Sequence, residues 1–250
     1  PFLWIRVRKQ FKEALIKELK EKNIHFEIDD ENPLCFKFQN SYPADQLDSF
    51  KKGYFEIQDR SSQLTSNYFK PNPKEYWWDA CAASGGKSLN LLDIEPSINL
   101  TVSDIRESVL NNLKIRFAKT GIINFRLLNI DLTNSNQPAL TKSQFDGIIA
   151  DVPCSGSGTW SRTPEMISSF KESSLIEFQK LQKSIVTNIT RYLKPGKPLI
   201  YITCSVFKAE NEEVIEYLKD KLKFKIEHQT YIKGYNKGAD TMFVARLIKE

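Results

Sequence analysis

The stretch YWWDACAASGGKSLNLL, residues 76–92, decides the fold. It begins with an apolar run typical of a strand, passes through small residues, and continues into a helical pattern from Lys87. This order is typical of the first unit of a doubly wound α/β sheet, where backbone amides and a helix N-terminus meet a ligand. The turn is neither a Walker loop nor a complete G-x-G-x-x-G, so its shape alone does not name the ligand.

Strands and helices alternate through the rest of the chain. Further strands are predicted at 99–103, 125–130, 145–150, 198–203, 223–228 and 242–248, and further helices at 107–119, 174–193 and 210–221. This alternation predicts a mostly parallel sheet with helices on both faces.

The first seventy residues have a different rhythm. Short strands at 3–8, 25–28, 34–38 and 54–57, with helices near 11–19 and 44–51, predict a small α+β module. A short helix at 60–69 then leads to Pro71 and Pro73, which mark a boundary. We therefore expect a module over residues 1–70 and a larger domain over 71–250.

Basic and aromatic residues of this module suggest a face for nucleic-acid phosphates and bases, with ordinary solvated lysines as the alternative. They are Arg6, Arg8, Lys9, Lys12, Lys51, Lys52, Phe11 and Tyr54.

Composition limits the class of protein. The 250 residues are 40% hydrophobic and 27% charged, which predicts a globular, soluble protein and excludes a disordered or fibrous one. No apolar run is long enough to span a membrane, and the four cysteines include no Cys-x-x-Cys pair, so we expect neither a membrane segment nor a metal site. Reduced thiols in the cytoplasm are the expectation. A net charge of +5 favours a polyanionic partner.

Two cysteines follow predicted strands and precede turns of small residues. They stand in Pro153-Cys154 and Thr203-Cys204, and Asp151 lies three residues before the first thiol. Because parallel strands deliver their ends to one face of a sheet, the two thiols can converge on one substrate atom. The alternative is that each is a small apolar core residue, as free cysteines often are.

Acidic residues end two other predicted strands. Asp104 stands where doubly wound folds place a carboxylate against ribose hydroxyls, although it could equally cap the helix that follows. Asp131 ends the next strand in a similar way.

Three ordered motifs resemble the RNA cytosine-5 methyltransferases of the NOL1/NOP2/Sun family. They are DACAASGGK at 79–87, DVPCSGSG at 151–158 with Arg162 and Pro164, and YITCS at 201–205 followed by Glu210-Asn211-Glu212. The resemblance covers nearly the whole chain and is greatest to bacterial Sun-type ribosomal RNA enzymes. The chain departs from the family at Ser84, Ser161 and Val109, where the family commonly has proline, arginine and arginine.

The resemblance implies a Rossmann-like class I methyltransferase that uses S-adenosylmethionine. The cofactor would contact Cys81, Ala82, Ala83, Ser84, Gly85, Gly86, Lys87, Asp104, Asp131 and Asp151. The implied catalytic residues are Cys204 as nucleophile, Cys154 for product release, and Asp151 and Lys87 on the base edge. Arg106 is a candidate substitute for the arginine missing at position 109. Cys35 is expected to be structural. Cys81 is expected to be structural as well, because its position in the turn requires only a small residue.

The implied substrate is a cytidine in RNA, most simply ribosomal RNA. C5 of cytosine is a poor nucleophile, so a thiolate added at C6 is needed to make C5 accept a methyl group. Lys87 and the helix N-terminus after Ser205 are candidates to lower the thiol pKa. The base must be single-stranded or flipped out to be reached. Two alternatives stay open: a DNA cytosine-5 methyltransferase that uses Cys154 as nucleophile, and a non-catalytic RNA-binding assembly factor.

Overall fold

The computed structural model describes residues 2–39, 42–141 and 144–250. Its N-terminal part is a four-stranded antiparallel sheet with strand order β2-β3-β1-β4. The strands are β1 (Leu3–Val7), β2 (Glu27–Ile28), β3 (Cys35–Phe38) and β4 (Phe55–Ile57). The helices α1 (Lys12–Glu21) and α2 (Asp48–Lys51) join them. Ile5, Leu15 and Phe36 belong to the buried core between sheet and helices.

The second sheet has seven strands in the order β10-β11-β9-β8-β5-β6-β7. Five are parallel, namely β5 (Tyr76–Asp79), β6 (Asn99–Asp104), β7 (Arg126–Asn129), β8 (Gly147–Asp151) and β9 (Pro198–Thr203). The last two, β10 (Phe224–Lys233) and β11 (Thr241–Lys249), pair antiparallel. The helices are α3 (Arg60–Leu64), α4 (Gly86–Ile94), α5 (Glu107–Lys119), α6 (Glu165–Ser169), α7 (Ser173–Ile189) and α8 (Glu212–Leu222).

Both faces of the seven-stranded sheet are covered. Successive strand residues alternate between two buried clusters, so that Trp77 belongs to the cluster with α4 and α5 and Trp78 to the cluster with α7 and α8. Such alternation of apolar residues on both faces is what a parallel sheet between two helical layers requires. The predicted Rossmann-like fold is confirmed.

The chain reverses direction across the sheet at β5. From β5 it proceeds through β6 to β7 on one side, and then returns to β8 and β9 on the other. In open α/β sheets, ligands bind outside the carboxyl ends of the strands at this switch point. Asp79, Asp104, Asp151 and Thr203 are the last residues of β5, β6, β8 and β9, so these strands aim their ends at one crevice.

Some predicted elements differ in detail. The predicted helix at 44–51 is divided, because Leu47 has an extended backbone with φ −63° and ψ 142° between a 3-10 turn and α2. The helix predicted from 210 begins at Glu212, and Glu210 lies in a preceding 3-10 turn. The sequence pattern did not reveal α6. None of the helices in the described ranges is long and apolar enough to cross a membrane.

The two sheets are joined by charged side chains. Arg6 and Arg8 of the N-terminal part both form ion pairs with Asp93 of α4. These two arginines are therefore paired with the larger sheet. The basic residues left for the predicted nucleic-acid face are its lysines. Phe69 belongs to the buried core of the larger sheet, so residues just before the predicted boundary already pack there. The division into 1–70 and 71–250 stays a prediction.

Candidate active site

A cavity of about 540 Å³ opens at the carboxyl ends of the parallel strands. The predicted site residues that line it are Cys81, Ala83, Asp104, Asp131, Asp151, Cys154 and Cys204. Apolar side chains that sequence reasoning did not select complete the wall, namely Ile105, Ile130, Leu132, Val152, Leu181 and Ile185. A ligand with both polar and apolar parts suits this lining.

The residues of the turn after β5 differ in whether they line the cavity. Cys81 and Ala83 face the cavity, while Ala82, Ser84, Gly85 and Gly86 do not line it. Gly85 has φ +86°, and a Cβ there would lie 2.6 Å from the ring of Phe117 in α5. The glycine is therefore required for close packing of the turn against α5. This packing holds Cys81 and Ala83 in place at the cavity.

Asp104 supports the turn from the next strand. Its carboxylate accepts hydrogen bonds from the backbone N–H of Ala83 at 3.1 Å and from Arg106, whose backbone N lies at 2.9 Å. Burial raises the pKa of Asp104, but the hydrogen bonds from Arg106 outweigh this and hold the pKa below its usual value. The alternative of a helix cap is wrong, because α5 begins after Arg106 and its first turn receives no side-chain cap.

Asp131 also lines the cavity. It follows β7, and its carboxylate accepts hydrogen bonds from the backbone N and Oγ1 of Thr133 at 2.9 and 2.8 Å. Arg106 also lines the cavity, beside Asp104. Five of the residues expected to contact a cofactor line this one cavity, namely Cys81, Ala83, Asp104, Asp131 and Asp151, whereas Ala82, Ser84, Gly85, Gly86 and Lys87 do not.

Lys87 connects three parts of the molecule. Its Nζ lies 3.0 Å from Asp151 Oδ2 and 2.7 Å from Ser62 Oγ of α3, and the side chain is almost fully buried. A buried lysine needs such partners, because an unpaired ammonium is costly to remove from water. Sequence reasoning found Lys87 and Asp151 but missed Ser62, which lies 25 positions before Lys87 and carries no chemical signature.

The two predicted thiols meet. Cys154 Sγ and Cys204 Sγ are 3.4 Å apart, and both line the cavity. Gly158 N–H donates to Cys204 O at 2.8 Å, which joins the loop after β8 to the end of β9. A Cβ at Gly158 would lie 2.0 Å from Thr241 O, so only glycine permits this approach. The separation of 3.4 Å shows that the two thiols lie together, and their convergence on one substrate atom stays a prediction.

The two thiols differ in their electrostatics. A hydrogen bond from Cys154 lowers the pKa of Cys204 despite burial, and Lys87 adds to this lowering. The same hydrogen bond, together with burial, raises the pKa of Cys154 well above its usual value. A thiolate is therefore favoured on Cys204, with Cys154 as its hydrogen-bond donor.

Two buried carboxyls near the cavity received no role from the sequence. Asp79, at the end of β5, has a pKa raised to about 7 by burial. Glu210 is fully buried and accepts hydrogen bonds from Ser155 and Ser205, which directly follow the two cysteines. Cys35 lies in β3, outside the cavity. Among the described residues no group of His, Cys, Asp and Glu could hold a metal ion, and the expectation of no metal stays a prediction.

Comparison with known proteins places this geometry in a family. The family model for the 16S rRNA methyltransferase RsmB/F matches residues 66–248. Ribosomal RNA small subunit methyltransferase B of Proteus mirabilis (strain HI4320) is 27% identical over 255 residues, which cover 100% of this chain and 60% of that protein. This chain thus spans about 60% of the length of that relative.

Two solved structures share the fold. The crystal structure of PH0851 has a TM-score of 0.92 at 27% identity and covers 99% of this chain and 59% of its own. The structure of NSun6 from Pyrococcus horikoshii with SFG has a TM-score of 0.86 at 17% identity and covers 99% of this chain and 90% of its own.

Proposed function

Because the chain belongs to the RsmB/F family of 16S rRNA methyltransferases, we propose that it methylates C5 of a cytidine in ribosomal RNA, with S-adenosylmethionine as the methyl donor. The observation that carries this proposal is the pair of thiols 3.4 Å apart beside the Lys87–Asp151 ion pair, all at the switch point of the sheet. A methyl transfer to oxygen or nitrogen has no need of two thiols in contact.

The cavity fits the cofactor. Backbone groups at Cys81 and Ala83 suit its amino-acid part, the Asp104 carboxylate suits ribose hydroxyls, and Ile105, Ile130 and Leu132 suit an apolar adenine face. When bound, S-adenosylmethionine supplies an electrophilic methyl group. Asp104 is already oriented by Arg106 and the turn, so its oxygens need little rearrangement to accept hydroxyl donors.

The thiols divide the chemistry between them. The Cys204 thiolate forms a bond to C6 of the cytosine, and the electron pair of the C5–C6 bond becomes available at C5 to take the methyl group. Asp151 and Lys87 stabilise the charge that moves onto the ring and its exocyclic nitrogen. In the release step the C5 proton passes to water, its electron pair forms the C5–C6 double bond again, and the Cys204–C6 bond breaks with its electron pair returning to the Cys204 thiolate. Cys154, in contact with Cys204, assists this step.

The substrate has to present a single base to the cavity. A cytosine stacked in a helix cannot reach Cys204, so the target nucleotide is single-stranded or flipped out. We further propose that the N-terminal module, residues 1–70, contacts flanking RNA through its lysines Lys9, Lys12, Lys51 and Lys52. A cytoplasmic location fits both a ribosomal substrate and free thiols.

Substitution of the two cysteines tests this proposal, because the two variants are expected to lose different steps of the reaction. Cys204→Ala removes the covalent bond, so we expect neither methylated RNA nor a protein–RNA adduct. Cys154→Ala leaves addition and methyl transfer intact but slows release, so an adduct that survives denaturing electrophoresis accumulates. Methylation is measured on ribosomal RNA with a labelled methyl donor.

Other outcomes identify the alternatives. An adduct with Cys204→Ala and none with Cys154→Ala would assign the nucleophile to Cys154, as in a DNA cytosine-5 methyltransferase, and a DNA substrate would then be tested beside RNA. Methylation that neither substitution affects would refute the two-thiol mechanism. RNA binding without any methylation by the unmodified protein would support an assembly factor.

A further inference from the structure

Glu210 lies fully buried beneath the two cysteine turns. Its Oε1 accepts hydrogen bonds from Ser155 N at 2.8 Å and from Gln182 Nε2 of α7 at 3.0 Å. Its Oε2 accepts from Ser155 Oγ at 2.5 Å and from Ser205 Oγ. Both oxygens of this carboxylate are therefore used, and they are used on residues adjacent to the thiols.

The two serine partners of Glu210 belong to the turns that follow two different strands. Ser155 directly follows Cys154 after β8, and Ser205 directly follows Cys204 after β9. One rigid carboxylate thus fixes both turns relative to one point. We propose that Glu210 is a positioning residue that sets the separation between the Cys154 and Cys204 thiols.

The neighbouring residue acts on one turn alone. Asn211 Oδ1 accepts from Thr203 Oγ1 at 2.6 Å, and its Nδ2 donates to Ser205 O at 2.9 Å, so it holds both neighbours of Cys204. Asn211 orients the Cys204 turn, whereas the Glu210 side chain joins that turn to the Cys154 turn. Two further bonds join the same two turns, from Gly158 N to Cys204 O at 2.8 Å and from Val206 N to Ser157 Oγ at 2.9 Å.

This inference rests on the proposed function only in describing the thiols as catalytic, since the geometry itself can be measured without RNA. Phenylarsine oxide condenses with two neighbouring thiols, forms two As–S bonds and releases water. Tight binding therefore needs Cys154 and Cys204 close together. The single variants Cys154→Ser and Cys204→Ser give the baseline, including any contribution from Cys35 and Cys81.

Two substitutions at Glu210 separate its position from its charge. Glu210→Gln can keep all four contacts, because the amide oxygen accepts from Ser155 N and Gln182 while the amide NH₂ donates to the two serine hydroxyls. Glu210→Ala removes them all. Glu213→Gln is the matched control, since Glu213 accepts from Gln179 of the same helix α7 at 2.6 Å but contacts neither cysteine turn.

We expect Glu210→Ala to weaken phenylarsine oxide binding roughly tenfold or more, because small displacements of reacting groups have large effects. Glu210→Gln is expected to stay within about threefold of the unmodified protein, and Glu213→Gln to match it. The single-turnover methylation rate follows the same order, while affinity for S-adenosylmethionine changes little, because Glu210 does not line the cavity.

A folded Glu210→Ala variant that binds the arsenical like the unmodified protein would overturn the proposal. Equal losses in Glu210→Gln and Glu210→Ala would overturn it as well, by assigning the effect to charge. If Glu210→Ala does not fold, Ser155→Ala and Ser205→Ala each remove one hydroxyl contact, and unchanged binding in both decides against it. If the unmodified protein bound the arsenical tightly but did not methylate RNA, and Glu210→Ala still lost arsenical binding, the proposed function would be refuted and this inference would stand.

Discussion

One fully buried carboxyl lies next to the thiol side of the cavity and another next to its cofactor side, and their oxygens are hydrogen-bonded to different degrees. Glu210, on the thiol side, has hydrogen-bond donors on both oxygens. Asp79, on the cofactor side, accepts from Ser88 Oγ at 2.6 Å through Oδ2, while its Oδ1 has no partner among the described residues. A fully paired buried carboxylate fixes structure, whereas a half-paired one costs stability.

The two halves also differ in what holds them. The thiol turns are held within the larger sheet domain, by Glu210 and Asn211. The cofactor turn after β5 is held by the same domain but is also linked to the N-terminal sheet, because Arg116 of α5 donates through Nη1 to Ser84 O at 3.3 Å and Oγ at 3.2 Å while its Nε pairs with Glu56 of β4. The N-terminal sheet therefore supports the cofactor side through Arg116, whereas the bonds that Glu210 and Asn211 make to the thiol turns stay within the larger sheet domain.

Lys87 lies between the cofactor turn and Asp151, and its substitution is expected to lower the methylation rate more than any other change considered below. Lys87→Met removes the ammonium that pairs with Asp151 and contacts Ser62. Removing one preorganised charge from such a site lowers a rate roughly 100- to 1000-fold. We expect that loss in the single-turnover methylation rate at saturating cofactor.

The control for Lys87→Met is Lys114→Met on the exposed face of α5, where the lysine approaches Asn111 at 3.5 Å. Lys114→Met is expected to methylate normally. A loss smaller than about threefold in Lys87→Met would show that the ion pair is structural and contributes little to the transition state.

Asp79→Asn is expected to stabilise the protein at neutral and alkaline pH. The folded pKa of about 7 lies above the ordinary value of 3.8, so the folded chain keeps a proton that the unfolded chain loses between these values. The free energy of unfolding therefore falls as pH rises from about 4 to 7, by up to about 4 kcal/mol. Asparagine carries no such charge.

Urea unfolding at pH 5 and pH 8 measures this difference. The advantage of Asp79→Asn over the unmodified protein should grow between these pH values and stay constant above pH 8. The exposed Asp220→Asn is the control and should lie within about 0.5 kcal/mol at both. A variant less stable than the unmodified protein at pH 8 would show that Asp79 is charged and paired.

The sequence predicted the scaffold better than the contacts between its parts. The bounds of β9 (Pro198–Thr203) and α5 (Glu107–Lys119) were predicted to the residue, because one is a continuous apolar run and the other has a regular helical period. The helix α6 was missed, since its five residues have no buried face to produce a period.

Among the site residues, too, those with a local sequence pattern were predicted and those without one were not. Cys154, Cys204, Asp104 and Asp151 were predicted because each ends or follows a strand, and parallel strands share one edge. The contacts of Ser62 and Arg116 were not predicted, because each joins two segments that are far apart in the sequence and share no sequence pattern. Arg6 and Arg8 were assigned to a basic surface on charge alone, and the structure pairs both with Asp93.

Glu56→Gln tests the dependence of the cofactor side on the N-terminal sheet. It weakens the charge-assisted bond that holds Arg116 against the turn at Ser84. We expect affinity for S-adenosylmethionine to fall roughly three- to tenfold, or about 1 kcal/mol, with phenylarsine oxide binding unchanged. Calorimetry measures the first quantity.

Glu27→Gln is the control for Glu56→Gln, because Glu27 pairs with Lys37 at an exposed position of the same small sheet. It is expected to bind the cofactor normally. If Glu56→Gln altered arsenical binding as much as cofactor affinity, the two halves would not be held separately.

Ser84→Ala is expected to have the smallest effect and to sharpen the comparison most. Alanine removes the Oγ contact to Arg116 at 3.2 Å and keeps the backbone carbonyl contact at 3.3 Å, so affinity for S-adenosylmethionine should fall only about twofold. Glu56 and Ser84 act through the same guanidinium, so their effects should not add. In the double variant Glu56→Gln/Ser84→Ala the loss should be smaller than the product of the two single losses. Independent losses would mean that Ser84 stiffens the turn by itself, in the position where the resembling family commonly has proline.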